Sequence, residues 1–351
     1  MNLMSIKDSI LSHSNQFNHY KEEAERLKKE NKKLKRENKK IKEEIANSDK
    51  YKTGISVIIP TYNGEKHITP LLESLEKQTL PSELYEIIFI INGRLDSTIN
   101  ILTEFIENNP KKNIILTYTP QSGASNARNI GIQLSKREYV TFIDDDDYIS
   151  PNYLEKLLEY SKPNRITMAN FIDIDVDTKE TKPFIPLSVK EYGIIEKAPV
   201  KFMNIAAVTQ AKTIPTFAIK RIEFNVNLNS GEDVSFYGYL YTKFDFEFYY
   251  INNDEEVNYY RVQRNNSVSN QEMTYQFNVL DRLKVMDDLD ENYRAVKNKK
   301  IKKYIELCFK GQTGFIQRYL QKHPEDKEKV SKEVKNHDFK YFPYSLLENE
   351  K

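Results

Sequence analysis

Several protein classes are excluded by what this sequence lacks. It has a single cysteine, Cys308, so an intramolecular disulfide is impossible and no cysteine spacing indicates a metal site. That cysteine usage fits a reducing cytoplasm. The 53 Lys and Arg residues almost balance the 52 Asp and Glu residues, and a formal net charge of +1 provides no global positive field for nucleic acid. We therefore expect no nucleic-acid partner.

Long hydrophobic runs are lacking as well. No apolar run approaches the ~20 residues that a membrane-spanning helix needs, and the polar N-terminus has no hydrophobic signal core. The sequence therefore predicts a cytoplasmic protein. Peripheral contact with the inner face of the cell membrane stays open, because aromatic residues at 339–344 lie near Lys335 and Lys340. The alternative for this tail is a terminus that packs on the rest of the protein.

Residues 17–45 show the seven-residue repeat of a coiled coil. Apolar residues dominate the two core positions, and Glu and Lys recur at the two flanking positions, so that unlike charges would pair between parallel helices. Asn31 and Asn38 fall at core positions, where they favour two strands in register. The alternative, a lone charged helix, has no reason to sort its charges in this way. We expect a parallel homodimer through residues 17–45.

Beyond residue 50, short apolar runs alternate with helical patterns. Strands are predicted at 55–59, 86–91, 113–118 and 139–143. Strands separated by helices form βαβ units with a parallel sheet and right-handed crossovers, so the fold class is α/β. We expect three segments, which are a coiled-coil helix at 1–50, an α/β domain at 51–270 and a C-terminal helical region at 271–351.

Four consecutive acids, Asp144 to Asp147, follow the fourth predicted strand. In an open parallel sheet, ligands bind at the carboxyl ends of the strands. Adjacent carboxylates repel one another, and a hard divalent cation with oxygen ligands would neutralise them. The alternative is a solvated acidic turn before a helix that starts near Pro151. The acidic run alone leaves both interpretations open.

The sequence contains four motifs in this order: Ser56–Asn63, Ser122–Gly131, Phe142–Asp147 and Gly231–Asp233. Together they resemble the signatures of family 2 glycosyltransferases. This resemblance extends over about residues 54–270 and implies an inverting enzyme with the GT-A fold, a nucleotide-sugar donor and a Mn²⁺ or Mg²⁺ cofactor. It does not extend to the coiled coil, and it is loose over the C-terminal region.

The resemblance implies a donor site at the carboxyl ends of the strands. The ring of Tyr62 is placed to stack on the nucleobase. Ile91 stands where the family usually has an Asp, so Asn92 is the nearest polar substitute and the base stays open, with uracil expected on family grounds. Arg128 resembles the arginine that meets the nucleotide or diphosphate. The donor-binding residues implied are Pro60, Thr61, Tyr62, Asn92, Arg128, Asp144, Asp145, Arg261 and Arg264.

The same resemblance gives the four acids separate roles. Asp144 faces the ribose and the sugar, and Asp146 holds the metal that bridges the two phosphates. Asp144 and Asp146 are the expected metal ligands. Asp147 supports them, and Asp145 fills a variable position on the donor side. The ion acts as a Lewis acid that neutralises the charge developing on the leaving diphosphate.

The Gly231–Asp233 motif supplies the expected catalytic residues. Asp233 resembles the general base that takes the proton of the acceptor hydroxyl, and Glu232 orients or substitutes for it. The alternative is that both acids only begin a helix. Arg261 and Arg264 belong to a segment that resembles the family's loop over the donor phosphates; a surface charge is the competing interpretation.

The sequence therefore predicts a metal-dependent inverting glycosyltransferase. Its donor would be a UDP-sugar, and its acceptor a hydroxyl of a glycan, lipid-linked or polyol-phosphate chain in bacterial capsule, teichoic acid or similar polysaccharide synthesis. One alternative is an inactive coiled-coil assembly protein that binds sugar nucleotides, suggested by Ile91. A nucleotidyltransferase would need a glycine-rich loop after the first strand, and residues 60–64 do not provide one.

Overall fold

The computed structural model describes residues 51–184, 193–263 and 273–345. The predicted coiled coil at 17–45, Arg264 and the predicted boundary at 270/271 lie outside the described residues, so these remain predictions. Residues 51–351 group into one unit.

The first half of the described chain alternates strands and helices, as the apolar pattern predicts. The buried runs Ile55–Ile59 and Ile87–Ile91 form strands because they are rich in β-branched residues. The elements are β1 (Lys52–Thr61), α1 (Thr69–Glu76), β2 (Tyr85–Asn92), α2 (Thr98–Asn108), β3 (Ile114–Thr119), α3 (Ala124–Leu134), β4 (Arg137–Phe142), β5 (Tyr148–Ile149) and α4 (Tyr153–Tyr160).

The second half of the described chain adds shorter strands and longer helices. The strands are β6 (Arg165–Met168), β7 (Asn170–Asp175), β8 (Thr181–Pro183), β9 (Ile195–Glu196), β10 (Lys212–Pro215), β11 (Glu247–Tyr250) and β12 (Asn258–Gln263). The helices are α5 (Met203–Ala207), α6 (Thr216–Ile219), α7 (Glu232–Lys243), a π-helix (Gln276–Leu280), α8 (Asp281–Ala295), α9 (Lys299–Lys322) and α10 (Lys327–Asn336). Single 3₁₀ turns are Gly64–Lys66, Ser82–Leu84, Asn253–Glu255 and Pro324–Asp326.

The larger sheet has the strand order β3-β2-β1-β4-β10-β6-β11-β9. Its first four strands are parallel, with Ile58 paired to Ile88 on one side and to Phe142 on the other. Helices cover both faces, which is why these strands are continuous apolar runs. The α/β prediction is confirmed, and the acidic run follows the end of β4.

A smaller sheet of order β5-β12-β7-β8 lies beyond the acidic run. Strand β5 begins directly after Asp147 and pairs antiparallel with β12, where Tyr260 faces Tyr148. Strand β12 also runs parallel to β7. The acids are thus held between a strand of the large sheet and a strand of the small one.

The C-terminal helices pack on the α/β domain. Tyr304 of α9 lies edge-on to Tyr241 of α7, with ring centroids 5.4 Å apart. The aromatic tail packs on α9 through Phe339 and Tyr341, both of which contact the ring of Phe309. In the described ranges, no helix combines the length and apolar character needed to cross a membrane.

Candidate active site

The acidic run after β4 forms a tight turn. The Ile143 amide donates to the Ile58 carbonyl, which continues β4 by one residue, and the Asp147 amide then donates to the Asp144 carbonyl across a tight turn. The turn is needed because four extended residues would place their side chains on two alternating faces only.

Asp145 connects the acidic run to the turn after β1. Its carboxylate accepts a hydrogen bond of 3.0 Å from the Tyr62 amide and lies 3.3 Å from Nε2 of His67. The side chain predicted to fill a variable position therefore holds the backbone of the predicted nucleoside-binding turn. His67 was not identified from the sequence, because nothing in its local pattern indicates this contact.

Asp147 is almost fully buried and anchors β12. Its carboxylate accepts hydrogen bonds from the Tyr259 hydroxyl at 2.7 Å and from the Val262 amide at 2.9 Å. Burial, followed by the charges of Asp144 and Asp146, raises the pKa of Asp147 well above its ordinary value. The same Tyr259 hydroxyl accepts from the Asp144 amide at 3.1 Å, so Asp147 also orients the backbone that carries Asp144.

Arg128 joins the acidic run to the start of α7. Its guanidinium donates to Asp144 at 3.1 Å and to Glu232 at 2.9 Å, and the residue is only 5% exposed. Burial opposes its charge, but these two carboxylates raise the pKa of Arg128 above its ordinary value. Gln210, which the sequence did not indicate, also donates to Asp144. Residues far apart in the chain thus form one charged network.

Asp233 lies in the first turn of α7, next to Glu232. Gly231 precedes this turn with φ +79°, a conformation that glycine adopts without strain. Burial, followed by the charge of Glu232, raises the pKa of Asp233 to about 7, although the Val234 amide, Arg128 and Lys212 oppose the shift. A carboxyl group with such a pKa can exchange a proton near neutral pH.

Lys212 of β10 is a fully buried cation near Asp233. Its ammonium donates to the Ala206 and Val208 carbonyls at the end of α5 and lies 4.0 Å from the Tyr237 ring centroid. Burial lowers the pKa of Lys212 well below its ordinary value, and Asp233 opposes this shift. The sequence did not indicate this buried position of Lys212.

The turn after β1 has the exposed aromatic ring that the sequence predicts. Tyr62 is 50% exposed, whereas Thr61 is buried. Asn92 donates to the Thr61 carbonyl at 3.0 Å and accepts from the Gly123 amide at 3.0 Å. Its amide group therefore joins the end of β1 to the start of α3, in the position next to the buried Ile91.

Arg261 is not brought into the Arg128 network. It pairs with Asp173 at 2.7 Å and lies over the rings of Phe171 and Phe184. A role in binding phosphate stays a prediction. Within the described residues, no group of three or more His, Cys, Asp or Glu side chains is arranged to hold a metal ion.

Comparison with known proteins agrees with this architecture. Residues 56–213 match the model of glycosyl transferase family 2. A poly(ribitol-phosphate) beta-glucosyltransferase of Bacillus spizizenii is 30% identical over 213 residues, which cover 56% of this chain and 32% of the relative. The poly(ribitol-phosphate) beta-N-acetylglucosaminyltransferase TarS of Staphylococcus aureus is 36% identical over 100 residues, which cover 28% of this chain and 17% of TarS.

Solved structures show the same fold. The structure of S. aureus TarS 1-349 in complex with UDP-GlcNAc superposes with a TM-score of 0.61 at 22% identity, covering 81% of this chain and 78% of that one. The mannosyltransferase PcManGT of Pyrobaculum calidifontis, in complex with GDP-Man and Mn²⁺, superposes with a TM-score of 0.52 at 14% identity and covers 78% of this chain and 76% of that one.

The chain has the GT-A fold of the solved glycosyltransferase structures. Residues 56–213 form the part of it that matches glycosyl transferase family 2. The chain spans about a third or less of the length of the two curated relatives named above.

Proposed function

We propose that this protein is a metal-dependent inverting glycosyltransferase that moves a sugar from a UDP-sugar to a hydroxyl of a polyol-phosphate polymer of the teichoic acid type. One observation carries the proposal. Arg128 holds the donor-side carboxylate of Asp144 and the carboxylate of Glu232 within 3.1 Å of its guanidinium, and Asp233 directly follows Glu232. A carboxylate suited to donor binding and a base motif are thereby held at one site.

The donor side of this site is the edge formed by the ends of β1, β2 and β4. The exposed ring of Tyr62 supplies a stacking surface for a nucleobase, and Asp145 holds its backbone. Asn92 braces the turn through its bonds to the Thr61 carbonyl and the Gly123 amide, and it stays the nearest polar substitute for the missing acid at position 91. A UDP donor is supported by the TarS complexes with UDP and UDP-GlcNAc, which share this fold.

A divalent cation fits this site with only one or two protein carboxylates as ligands. The family motif assigns the ion to Asp144 and Asp146, whereas Asp145 and Asp147 bond the Tyr62 amide and the Tyr259 hydroxyl. Mg²⁺ and Mn²⁺ suit such a site, since they accept one or two carboxylates and take their other ligands from phosphates and water. When bound, the ion would neutralise the negative charge that develops on the leaving diphosphate.

Asp233 acts as the general base of the proposed reaction. It accepts the proton of the acceptor hydroxyl while that oxygen forms a bond to the anomeric carbon and the bond to the diphosphate breaks. A pKa of about 7 is suited to this proton transfer at neutral pH. A single displacement inverts the configuration at the anomeric carbon. Glu232, held by Arg128, keeps the first turn of α7 in place.

The acceptor class rests on the relatives. Two of them are named as enzymes acting on poly(ribitol-phosphate), and a third as a minor teichoic acid biosynthesis protein, GgaB, of Bacillus subtilis. The parallel homodimer through residues 17–45 and a position at the inner face of the membrane belong to the same proposal. Packing of Phe339 and Tyr341 on α9 favours a docked terminus for the aromatic tail.

The test is a transfer assay on the full chain. Purified protein is incubated with poly(ribitol phosphate), Mn²⁺ and either UDP-glucose or UDP-N-acetylglucosamine, and sugar bound to the polymer is measured. We expect transfer from one of these donors and its loss on chelation of the metal. Donor binding without transfer to this or any polyol-phosphate polymer would favour the inactive assembly protein instead. Transfer that persists in excess chelator would remove the metal from the proposal.

A further inference from the structure

Arg282, near the start of α8, is a buried cation that the proposed reaction does not use. It is 1% exposed and lies against two aromatic rings, with its guanidinium carbon 4.7 Å from the centroid of Phe277 and 4.8 Å from that of Phe315. Arginine keeps its charge in proteins, and a buried charge is unfavourable unless it is paired. The positive charge of Arg282 must therefore be stabilised by groups around it.

The polar partners of Arg282 are neutral. Nε donates to the Phe277 carbonyl at 3.2 Å, and Nη1 donates to Oε1 of Gln312 at 3.3 Å. Nη2 has no hydrogen-bond partner among the described residues. Asp281, the adjacent acid, bonds Gln276 and Lys284 instead. Asp281 therefore acts on Arg282 through its charge alone.

The guanidinium of Arg282 lies against Gly231, the residue that precedes α7. A Cβ atom placed on Gly231 would come within 3.4 Å of Nη1 of Arg282 and 2.9 Å of Val285. Gly231 is followed directly by Glu232 and Asp233. Burial lowers the pKa of Arg282, and the carboxylates of Asp281, Asp233 and Glu232 oppose this shift. The C-terminal helices thus bring a fixed positive charge to the start of the base motif.

We propose that Arg282 is a positioning residue for the catalytic carboxylates. It holds the Gly231 turn against α8 and α9, and its charge keeps Asp233 in the carboxylate form that accepts a proton. The inference rests on the proposed role of Asp233 as the base. It also makes the C-terminal helices part of the active site, since the charge comes from α8 and its hydrogen-bond partner Gln312 from α9.

Other groups act on Asp233 from the surrounding elements, so the effect of Arg282 has to be separated from theirs. Glu232 opposes the carboxylate form, whereas Arg128 and Lys212 favour it. Three neutral groups with raised pKa values also interact with Asp233. They are the Tyr237 hydroxyl on α7 and the Tyr304 hydroxyl and Cys308 thiol on α9. Changing Arg282 leaves all of these side chains in place.

The test compares two variants of Arg282 in the full chain with a matched control. Arg282→Met removes the charge and keeps an unbranched apolar stem, whereas Arg282→Lys keeps the charge. Lys284→Met removes a half-exposed charge from the same helix and serves as the control. The first readout is the pKa of the Asp233 carboxyl group, measured by NMR with labelled aspartate and assigned with Asp233→Asn. This readout needs no substrate.

We expect Arg282→Met to raise the pKa of Asp233 by about one unit, which at pH 7 lowers the carboxylate fraction about fivefold for a group that titrates there. Arg282→Lys, which keeps the charge, and Lys284→Met should leave the pKa of Asp233 nearly unchanged. An unchanged Asp233 pKa in Arg282→Met overturns the proposal. If that variant does not fold, Arg282→Gln, which also removes the charge, decides, and the absence of any shift in it overturns the proposal equally.

The second readout is the pH dependence of kcat with UDP-glucose or UDP-N-acetylglucosamine and poly(ribitol phosphate). Arg282→Met should lower kcat about fivefold at pH 7 and recover at higher pH, as expected when a base is protonated, with the KM for the donor unchanged. An equal loss at every pH would indicate a merely structural role and overturn the proposal. If the wild-type chain transfers no sugar, the proposed function fails, while the NMR measurement still decides the role of the charge.

Discussion

Replacing Asp233 by Asn should abolish sugar transfer and, at the same time, stabilise the folded protein. Asn has almost the shape of the protonated carboxyl group and can still accept the Val234 amide, which donates to Asp233 at 2.7 Å. It cannot take a proton from an acceptor hydroxyl. Because donor binding depends on other residues, the affinity for UDP should change little.

The stability gain follows from the raised pKa of Asp233. The carboxyl group titrates near 3.8 when unfolded and at about 7 when folded. The folded state therefore binds the proton more tightly, so this contribution is fully present below about pH 4 and is lost as the pH rises toward about 7. The shift corresponds to about 4 kcal/mol at most, at about 1.4 kcal/mol per unit. Water that reaches this partly exposed residue reduces the value, and we expect about 2 kcal/mol.

The assay is urea unfolding of the full chain at several pH values between 5 and 8, followed by circular dichroism. The advantage of Asp233→Asn over the wild type should grow as the pH rises through this window. Asp245→Asn, an exposed position just after the same helix, is the matched control and should change stability by less than about 0.5 kcal/mol at every pH. Equal stability of the Asp233 variant and the wild type at pH 8 would refute the reasoning, and normal transfer by the variant would place the base elsewhere.

Three further predictions follow from the same site. Arg128→Met should lower the free energy of unfolding by about 3 kcal/mol, because it leaves the carboxylates of Asp144 and Glu232 unpaired; a loss below about 1 kcal/mol in urea unfolding would mean that water already screens these pairs. Asp146→Ala should abolish the Mn²⁺-dependent part of UDP binding in calorimetry, whereas binding equal to the wild type would show that this side chain holds no metal. Deleting residues 1–46 should convert a dimer to a monomer in sedimentation, and an unchanged mass would place the interface in another part of the chain.

The sheet could be predicted closely because its signal is local. Each buried strand is a short run of β-branched and aromatic residues, and each crossover helix repeats its apolar residues with helical spacing. The predicted strand at 86–91 is observed as Tyr85–Asn92, and the one at 55–59 as Lys52–Thr61. The strand ends shift by a few residues because backbone pairing with a neighbouring strand extends beyond the apolar core.

The partners of the acidic side chains could not be predicted in the same way. Arg128 and Glu232 are 104 residues apart in the chain, and Tyr259 and Asp147 are 112 apart. A charged side chain carries no local mark of the partner that the fold brings to it. The sequence also gave no sign of the bond between Asp145 and the Tyr62 amide or of those between Asn92 and the ends of β1 and α3.

By itself, the sequence determined the α/β class, the parallel strands, the place of the acids at the end of β4 and the candidate base at Asp233, because periodicity and short motifs are properties of neighbouring residues. Only the tertiary structure decided how each acid is used. Burial between two sheets raises the pKa of Asp147, Arg128 joins Asp144 to Glu232, and α8 brings Arg282 against Gly231. These effects depend on distance and on the exclusion of water, which exist only once the chain has folded.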